Sequence, residues 1–289
     1  MDLYQMKSIR EILNRHGFRF SKSLGQNFLT QPWVTEEIVE RSEIDASCGV
    51  LEIGPGMGAL TRELSRAAGR VAAVEVDRAL LPVLAETLQG LDNVTVIHGD
   101  ILKEDIPELV KRELEGLRPL VCANLPYYIT SPILSRLIET HVFEAITVML
   151  QKEVAERLCA APGAADYGAF SVFIQYHTCP EILFDVPASC FLPQPKVDSA
   201  VVRLVRRDAP PAPVDDPELF FQVVRAAFAQ RRKTLVNCLN ASFASRLDKA
   251  AILTAVRAAG LTDTVRGETL GIAEFAVLAR VLAAALSKD

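Results

Sequence analysis

The chain has no stretch that is both long enough and apolar enough to cross a bilayer. The best candidate, residues 119–135, carries three prolines and an asparagine, whereas a spanning helix needs about 20 predominantly apolar residues. The N-terminus, MDLYQMKSIREILNRHG, is charged throughout and lacks the apolar core and small-residue cleavage site of an export signal. The expectation is a cytoplasmic protein with no membrane contact. Paired cysteines are missing too. The six cysteines, at 48, 122, 159, 179, 190 and 238, include no C-x-x-C and no Cys/His spacing suited to zinc. They read as small buried hydrophobes, and no metal is expected. Repeats and low-complexity tracts are absent, and 50% hydrophobic against 23% charged residues excludes a disordered, collagen-like or coiled-coil chain.

What is present is 289 residues, enough for one large α/β domain with an appendage or for two ordinary domains. A net charge of −5 argues against a nucleic-acid partner, but it is unevenly spread. Residues 1–200 hold 18 Lys and Arg against 27 Asp and Glu, while residues 201–289 hold 13 against 9. The first 30 residues are also basic, with Lys7, Arg10, Arg15, Arg19 and Lys22 against Asp2 and Glu11. Two basic ends on an acidic body suit phosphate contacts at both ends.

Apolar, β-branched runs at residues 50–54, 70–76, 93–98, 119–124 and 145–150 alternate with amphipathic stretches of about ten residues. That alternation predicts a doubly wound α/β domain with a parallel sheet. Phe170, Phe173, Ile174 and His177 fall at helical spacing, so a helix is expected there despite the β-branched content. Two strands follow, near 181–186 and 197–205, and the proline-rich residues between them fit neither element. Residues 208–217, DAPPAPVDDP, read as a linker, and the periodicity from 218 to 289 is helical. The expected division is therefore 1–207, a linker over 208–217, and a smaller all-helical domain over 218–289.

Chemistry concentrates at the ends of the predicted strands. Glu52-Ile53-Gly54-Pro55-Gly56-Met57-Gly58-Ala59 sits where the first strand meets its helix. Glycines there let the backbone turn and approach a ligand, and the helix N-terminus offers free N–H groups. The glycine spacing alone fits a nicotinamide dinucleotide as well as S-adenosylmethionine. Glu52 favours the second, because a carboxylate suits a ligand bearing an ammonium and a sulfonium better than a pyrophosphate. Glu75 lies 21 residues after Gly54, close to the spacing expected of an acid that binds ribose hydroxyls, with Asp77 as its competitor. Asp100 ends the third strand, where a carboxylate can accept from an adenine amino group.

Asn124-Leu125-Pro126-Tyr127-Tyr128 ends the fourth strand. An exocyclic amine attacks carbon poorly while its lone pair is delocalised into the ring, and acceptors on its protons help it become tetrahedral. The Asn124 side-chain oxygen and the Leu125 carbonyl supply two, Pro126 stiffens the turn, and Tyr127 offers a face for a base. Phe191, in a proline-stiffened loop, is expected to stack on the opposite face. Leu24-Gly25-Gln26-Asn27-Phe28-Leu29 shows no structural purpose beyond a turn and is a candidate to close over a cofactor. Arg231, Arg232 and Lys233 place three cations together in the C-terminal piece and are candidates for RNA phosphates.

The motifs LGQNFL, EIGPGMGALT, VEVD, GD, NLPYYIT, FLPQPKVDS and FAQRRKTL follow one another over nearly the whole chain. In this order they resemble the bacterial small-subunit (16S) rRNA adenine N6,N6-dimethyltransferases, within the S-adenosylmethionine-dependent rRNA adenine methyltransferase family. The resemblance implies a Rossmann-like methyltransferase sheet with a helical RNA-binding domain. It implies that Asn27, Leu29, Gly54, Gly56, Glu75, Asp100 and Asn124 line the cofactor site, with Glu75 at the ribose and Asp100 at the adenine. It further implies that Asn124, Leu125, Tyr127 and Phe191 hold a target adenine, two adjacent adenines near the 3′ end of the rRNA being dimethylated. The implied partner is the assembling 30S particle, and the implied state is a monomer. The alternatives are an assembly factor in which methylation is incidental, and a large-subunit rRNA methyltransferase, whose resemblance is expected mainly through the first domain.

Overall fold

A computed structural model describes residues 2–20 and 25–287; Lys22 and Leu24, both used in the sequence reading, lie outside that range. Strands are β1 (Phe28–Leu29), β2 (Cys48–Ile53), β3 (Arg70–Glu75), β4 (Val94–His98), β5 (Arg118–Asn124), β6 (Ala145–Gln151), β7 (Thr178–Val186), β8 (Phe191–Leu192) and β9 (Ser199–Arg206). Helices are α1 (Met6–Arg15), α2 (Pro32–Arg41), α3 (Ala59–Ala67), α4 (Leu81–Thr87), α5 (Ile106–Glu113), α6 (Thr130–Glu139), α7 (Lys152–Cys159) and α8 (Ala169–His177). The series closes with α9 (Pro217–Phe228), α10 (Leu235–Phe243), α11 (Lys249–Ala258) and α12 (Ile272–Leu286).

Seven strands form one sheet in the order β4-β3-β2-β5-β6-β9-β7. The pairs from β4 to β6 are parallel and β9 runs antiparallel to β6. All six residues of β2 are buried, as expected of a strand covered on both faces. The chain runs outward from β2 through β3 to β4, then returns to β5 on the other side. The carboxyl ends of β2 and β5 therefore flank a switch point, where open α/β sheets form their ligand crevice.

Local chemistry explains the helix starts. Asp105, Asp216 and Asp248 accept backbone N–H bonds from Glu108, Leu219 and Ala251 at 3.1, 3.0 and 2.7 Å, capping α5, α9 and α11. Pro217 opens α9, where its missing N–H has no cost. The proline-rich residues between β7 and β9 are more ordered than expected. They include a single 3₁₀ turn at Ala188–Cys190 and then β8, which pairs antiparallel with β1, Leu29 opposite Phe191 and Phe28 opposite Leu192. Four cysteines are buried as expected, but Cys159 is half-buried and Cys179 exposed.

The chain divides into two compact units: Met1–Ala155 with Glu181–Arg206, and Glu156–Pro180 with Arg207–Asp289. The second unit thus contains α8, which the sequence boundary at 207 placed with the first. Burial accounts for the assignment. Tyr176 of α8 packs 5.1 Å from Phe220 of α9, and the Tyr167 hydroxyl donates to the Leu270 carbonyl at 3.0 Å. Around them Val223, Leu239, Phe243, Ile252, Phe275 and Leu282 make one apolar core. The helical periodicity expected over 218–289 is interrupted before α10, which begins at Leu235, because residues 230–233 form a turn closed by the Lys233 N–H on the Gln230 carbonyl.

Candidate active site

The crevice over β2 and β5 is a cleft that encloses about 1080 Å³ with its open mouth included. Its wall includes Asn27, Leu29, Gly54, Gly56, Glu75, Asp100, Asn124, Leu125 and Tyr127, so the structure gathers these separately predicted residues at one place.

The glycine loop forms one wall. Gly54, Gly56 and Gly58 have φ of +68°, +60° and +83°, a region that side-chain-bearing residues avoid. Nothing lies within 4 Å of where a Gly54 Cβ would project, whereas a Gly56 Cβ would meet the Phe28 ring at 3.2 Å. Gly54 thus bares backbone to the cleft, and Gly56 lets residues 25–29 pass closely over it.

Those residues form a strap with three further attachments. Gln26 Nε2 donates to Asp77 at 2.7 Å, Asn124 Nδ2 donates to the Asn27 carbonyl at 3.3 Å, and β1 pairs with β8. The strap thus has a structural purpose that its sequence alone did not reveal. It also separates the two competing acids. Asp77 is occupied by Gln26 and by capping a short turn through the Ala79 N–H at 2.9 Å. Glu75 faces the cleft, buried, and accepts from the Asp77 N–H at 2.8 Å and the Gly56 N–H at 3.4 Å. Burial holds the Glu75 pKa above its ordinary value in spite of those bonds.

Glu52, 1% exposed, also lines the cleft, and its Oε2 has no hydrogen-bond partner. Burial pushes its pKa up to about 8, Thr61 opposes that rise, and the Glu75 charge adds to it. A buried carboxyl lacking a donor is complementary to a cationic ligand group. Asp100 accepts from the Leu102 N–H at 3.1 Å and pairs with Lys103 at 3.1 Å.

Asn124 ends β5, and the bond from its Nδ2 to the Asn27 carbonyl ties the carboxamide to the strap. The Leu125 N–H donates to the Met149 carbonyl at 3.1 Å, which holds the turn against β6. Tyr127 is half-buried and Tyr128 is 57% exposed. Phe191 departs from expectation. It is 4% exposed, absent from the cleft wall, and packed with Leu29, Val34 and Val201. The alternation along β8 is the reason: Phe191 points to one core and Leu192 to another, with Phe28. Sequence reasoning passed over Phe28 and Tyr128 as lining residues, although both lay inside motifs it had singled out.

Among the described residues, no group of three or more His, Cys, Asp or Glu is placed to hold a metal ion, and no helix is long and apolar enough to cross a membrane. In the second unit Arg231, Arg232 and Lys233 are all exposed, and Arg231 donates to the Ala165 carbonyl and pairs with Glu268 at 3.5 Å.

Known proteins with this arrangement are close in sequence. The chain is 49% identical to ribosomal RNA small subunit methyltransferase A of Geobacillus kaustophilus, with 96% of each chain covered. It is 46% identical to the protein of that name from Lysinibacillus sphaericus, with 94% of each covered. Among solved structures, a dimethyladenosine transferase from Plasmodium falciparum matches with a TM-score of 0.74 at 25% identity, covering 86% of this chain and 95% of that one. The 23S rRNA methyltransferase ErmE matches with a TM-score of 0.67 at 28% identity, covering 89% and 99%. That likeness is not confined to the first domain, contrary to the expectation for large-subunit enzymes. A family model described as ribosomal RNA adenine dimethylase matches residues 17–278, so the strap, the glycine loop, the Asn-Leu-Pro-Tyr turn and the helical unit up to the first turns of α12 fall within the match, and the chain belongs to that family.

Proposed function

We propose that this chain dimethylates the N6 amines of two adjacent adenines in the 3′-terminal hairpin of small-subunit rRNA, with S-adenosylmethionine as methyl donor, during maturation of the 30S particle in the cytoplasm. The observation that carries the reading is Asn124-Leu125-Pro126-Tyr127 on the wall of the same cleft as Gly54, Gly56 and Glu75. Acceptors for an amine and a cradle for a nucleoside-bearing cofactor thus share one cavity.

The residues present fit S-adenosylmethionine. Gly54 leaves room for close approach, Glu75 offers a carboxylate to ribose hydroxyls, and the unpaired Glu52 oxygen suits a cationic group. Asp100 is assigned to the adenine, with Asn27, Leu29 and Asn124 closing the cofactor site. When bound, this cofactor supplies an electrophilic methyl carbon. Everything else falls to the chain. The Asn124 oxygen and the Leu125 carbonyl accept from the target amine and favour its tetrahedral form, while Tyr127 stacks on the base. The strap over Gly56 excludes water from the reacting atoms. No lysine or histidine lines the cleft among the described residues, which accords with a reaction that needs no strong general base, since the methylated nitrogen becomes acidic and releases its proton to water. Phe191 is assigned to holding the strap through Leu29 rather than to stacking.

The 30S particle is proposed as substrate on the strength of relatives named small-subunit methyltransferases along 94–96% of the chain, and a monomer is proposed as the acting species. The same names weigh against the assembly-factor and large-subunit readings. The test is transfer of labelled methyl groups to small subunits lacking dimethyladenosine. Asn124→Ala is expected to abolish transfer while the variant still binds the subunit, and full activity in that variant would overturn the role given to Asn124. Mass spectrometry of rRNA from cells without the protein should show loss of dimethyladenosine.

A further inference from the structure

Tyr127 is held by the far end of its side chain. Its hydroxyl and the Ser199 Oγ share a 2.6 Å hydrogen bond. The partners come from different settings. Tyr127 opens a single 3₁₀ turn after Pro126, on a connection between strands, whereas Ser199 is the first residue of β9, fully buried, and opposite Gln151 at the end of β6. The residue before Ser199 is pinned on both sides. The Asp198 carbonyl accepts from the Lys152 N–H at 3.1 Å, and its carboxylate accepts from the Ala188 N–H at 2.9 Å. Ser199 is thus a fixed point on the sheet, reaching across β6 to a ring on a loop.

A tyrosine ring has two side-chain torsions, and tying down its hydroxyl constrains both. The tether also directs the hydroxyl of this cleft-lining residue to the buried Ser199. Burial raises the Tyr127 pKa and Ser199 opposes that rise, so the phenol stays protonated and can keep its hydrogen bond.

We infer that Ser199 is a positioning residue for the methyl acceptor, setting the plane of the Tyr127 ring on which the target adenine stacks. The inference rests on the reading of Tyr127 as the base platform. It gives the last residue of the FLPQPKVDS motif a purpose and predicts that Tyr127→Phe, which keeps the face and loses the tether, behaves like Ser199→Ala.

The experiment measures kcat on undermethylated small subunits and the Kd for S-adenosylmethionine, in wild type, S199A, Y127F and the double variant. One net hydrogen bond corresponds to a rate change of up to about tenfold. Each single variant is expected to lose about five- to tenfold in kcat with a Kd within about twofold of wild type, and the double variant is expected to match the singles. A merely structural loss would weaken cofactor binding as well, whereas the double variant tests whether the two residues act through their shared bond. Wild-type kcat in S199A, a double variant that falls by the product of the two single effects, or a parallel loss of cofactor affinity overturns the inference. A wild-type protein that transfers no methyl groups to small subunits would instead overturn the methyltransferase reading on which it rests.

Discussion

Glu52 occupies a position where a carboxyl is costly: the end of a strand buried on both faces, with one oxygen unpaired. The native protein therefore keeps a proton there up to about pH 8, whereas the unfolded chain sheds it near the ordinary value of 4.5. Between those values the folded state binds more protons than the unfolded one, so the residue's contribution to stability falls as pH rises through that window. Glu52→Gln should melt with the wild type near pH 4 and above it by pH 8.5. A gap that closes as pH rises would show that Glu52 titrates in the opposite sense. Spacing alone identified Glu52 and Glu75 as acids at strand ends. It did not separate Glu75 from Asp77, since two acids two residues apart look alike until the chain leaves the strand at Glu75 and Asp77 bonds to Gln26.

At the scale of elements, the strap and the glycine loop are one device. Residues 25–29 lie over Gly56 because no Cβ stands in the way, and Phe28 lies 3.2 Å from where one would project. Gly56→Ala adds a left-handed backbone strain of roughly 1–2 kcal/mol to that close contact. The variant should lose about that much stability in urea titration and bind S-adenosylmethionine several-fold more weakly. Unchanged affinity would mean that the strap does not sense the loop. The strands and helices around this device were legible from periodicity, because the parallel strands and their helices repeat a local pattern. The β1–β8 pairing was not, since two-residue strands carry no period and their partners lie more than 160 residues apart in sequence. The burial of Phe191 was not legible for the same reason: its facing is set by that pairing.

Across the whole molecule, the excess acid lies in the first 200 residues, which supply the Glu52, Glu75 and Asp100 of the cleft, and the excess base lies beyond them. Of the three clustered cations, Arg231 already has partners in Ala165 and Glu268, so Arg232 and Lys233 are the better candidates for phosphate contacts. Neutralising that pair should weaken RNA binding and reduce the slope of log K against log salt by about one to two, with cofactor affinity unchanged. An unaltered slope would identify the turn as a solvated surface.

The sequence by itself determined the α/β architecture, the helical C-terminal region and the residues of the glycine loop and the Asn-Leu-Pro-Tyr turn, because each is written in short-range spacing. Only the tertiary structure decided which acid faces the cleft, that Phe191 is buried, that α8 joins the C-terminal unit, and that Ser199 holds Tyr127. Each of these depends on a contact between distant segments. Such contacts are selected by burial and hydrogen bonding once the sheet has assembled, and no local period encodes them.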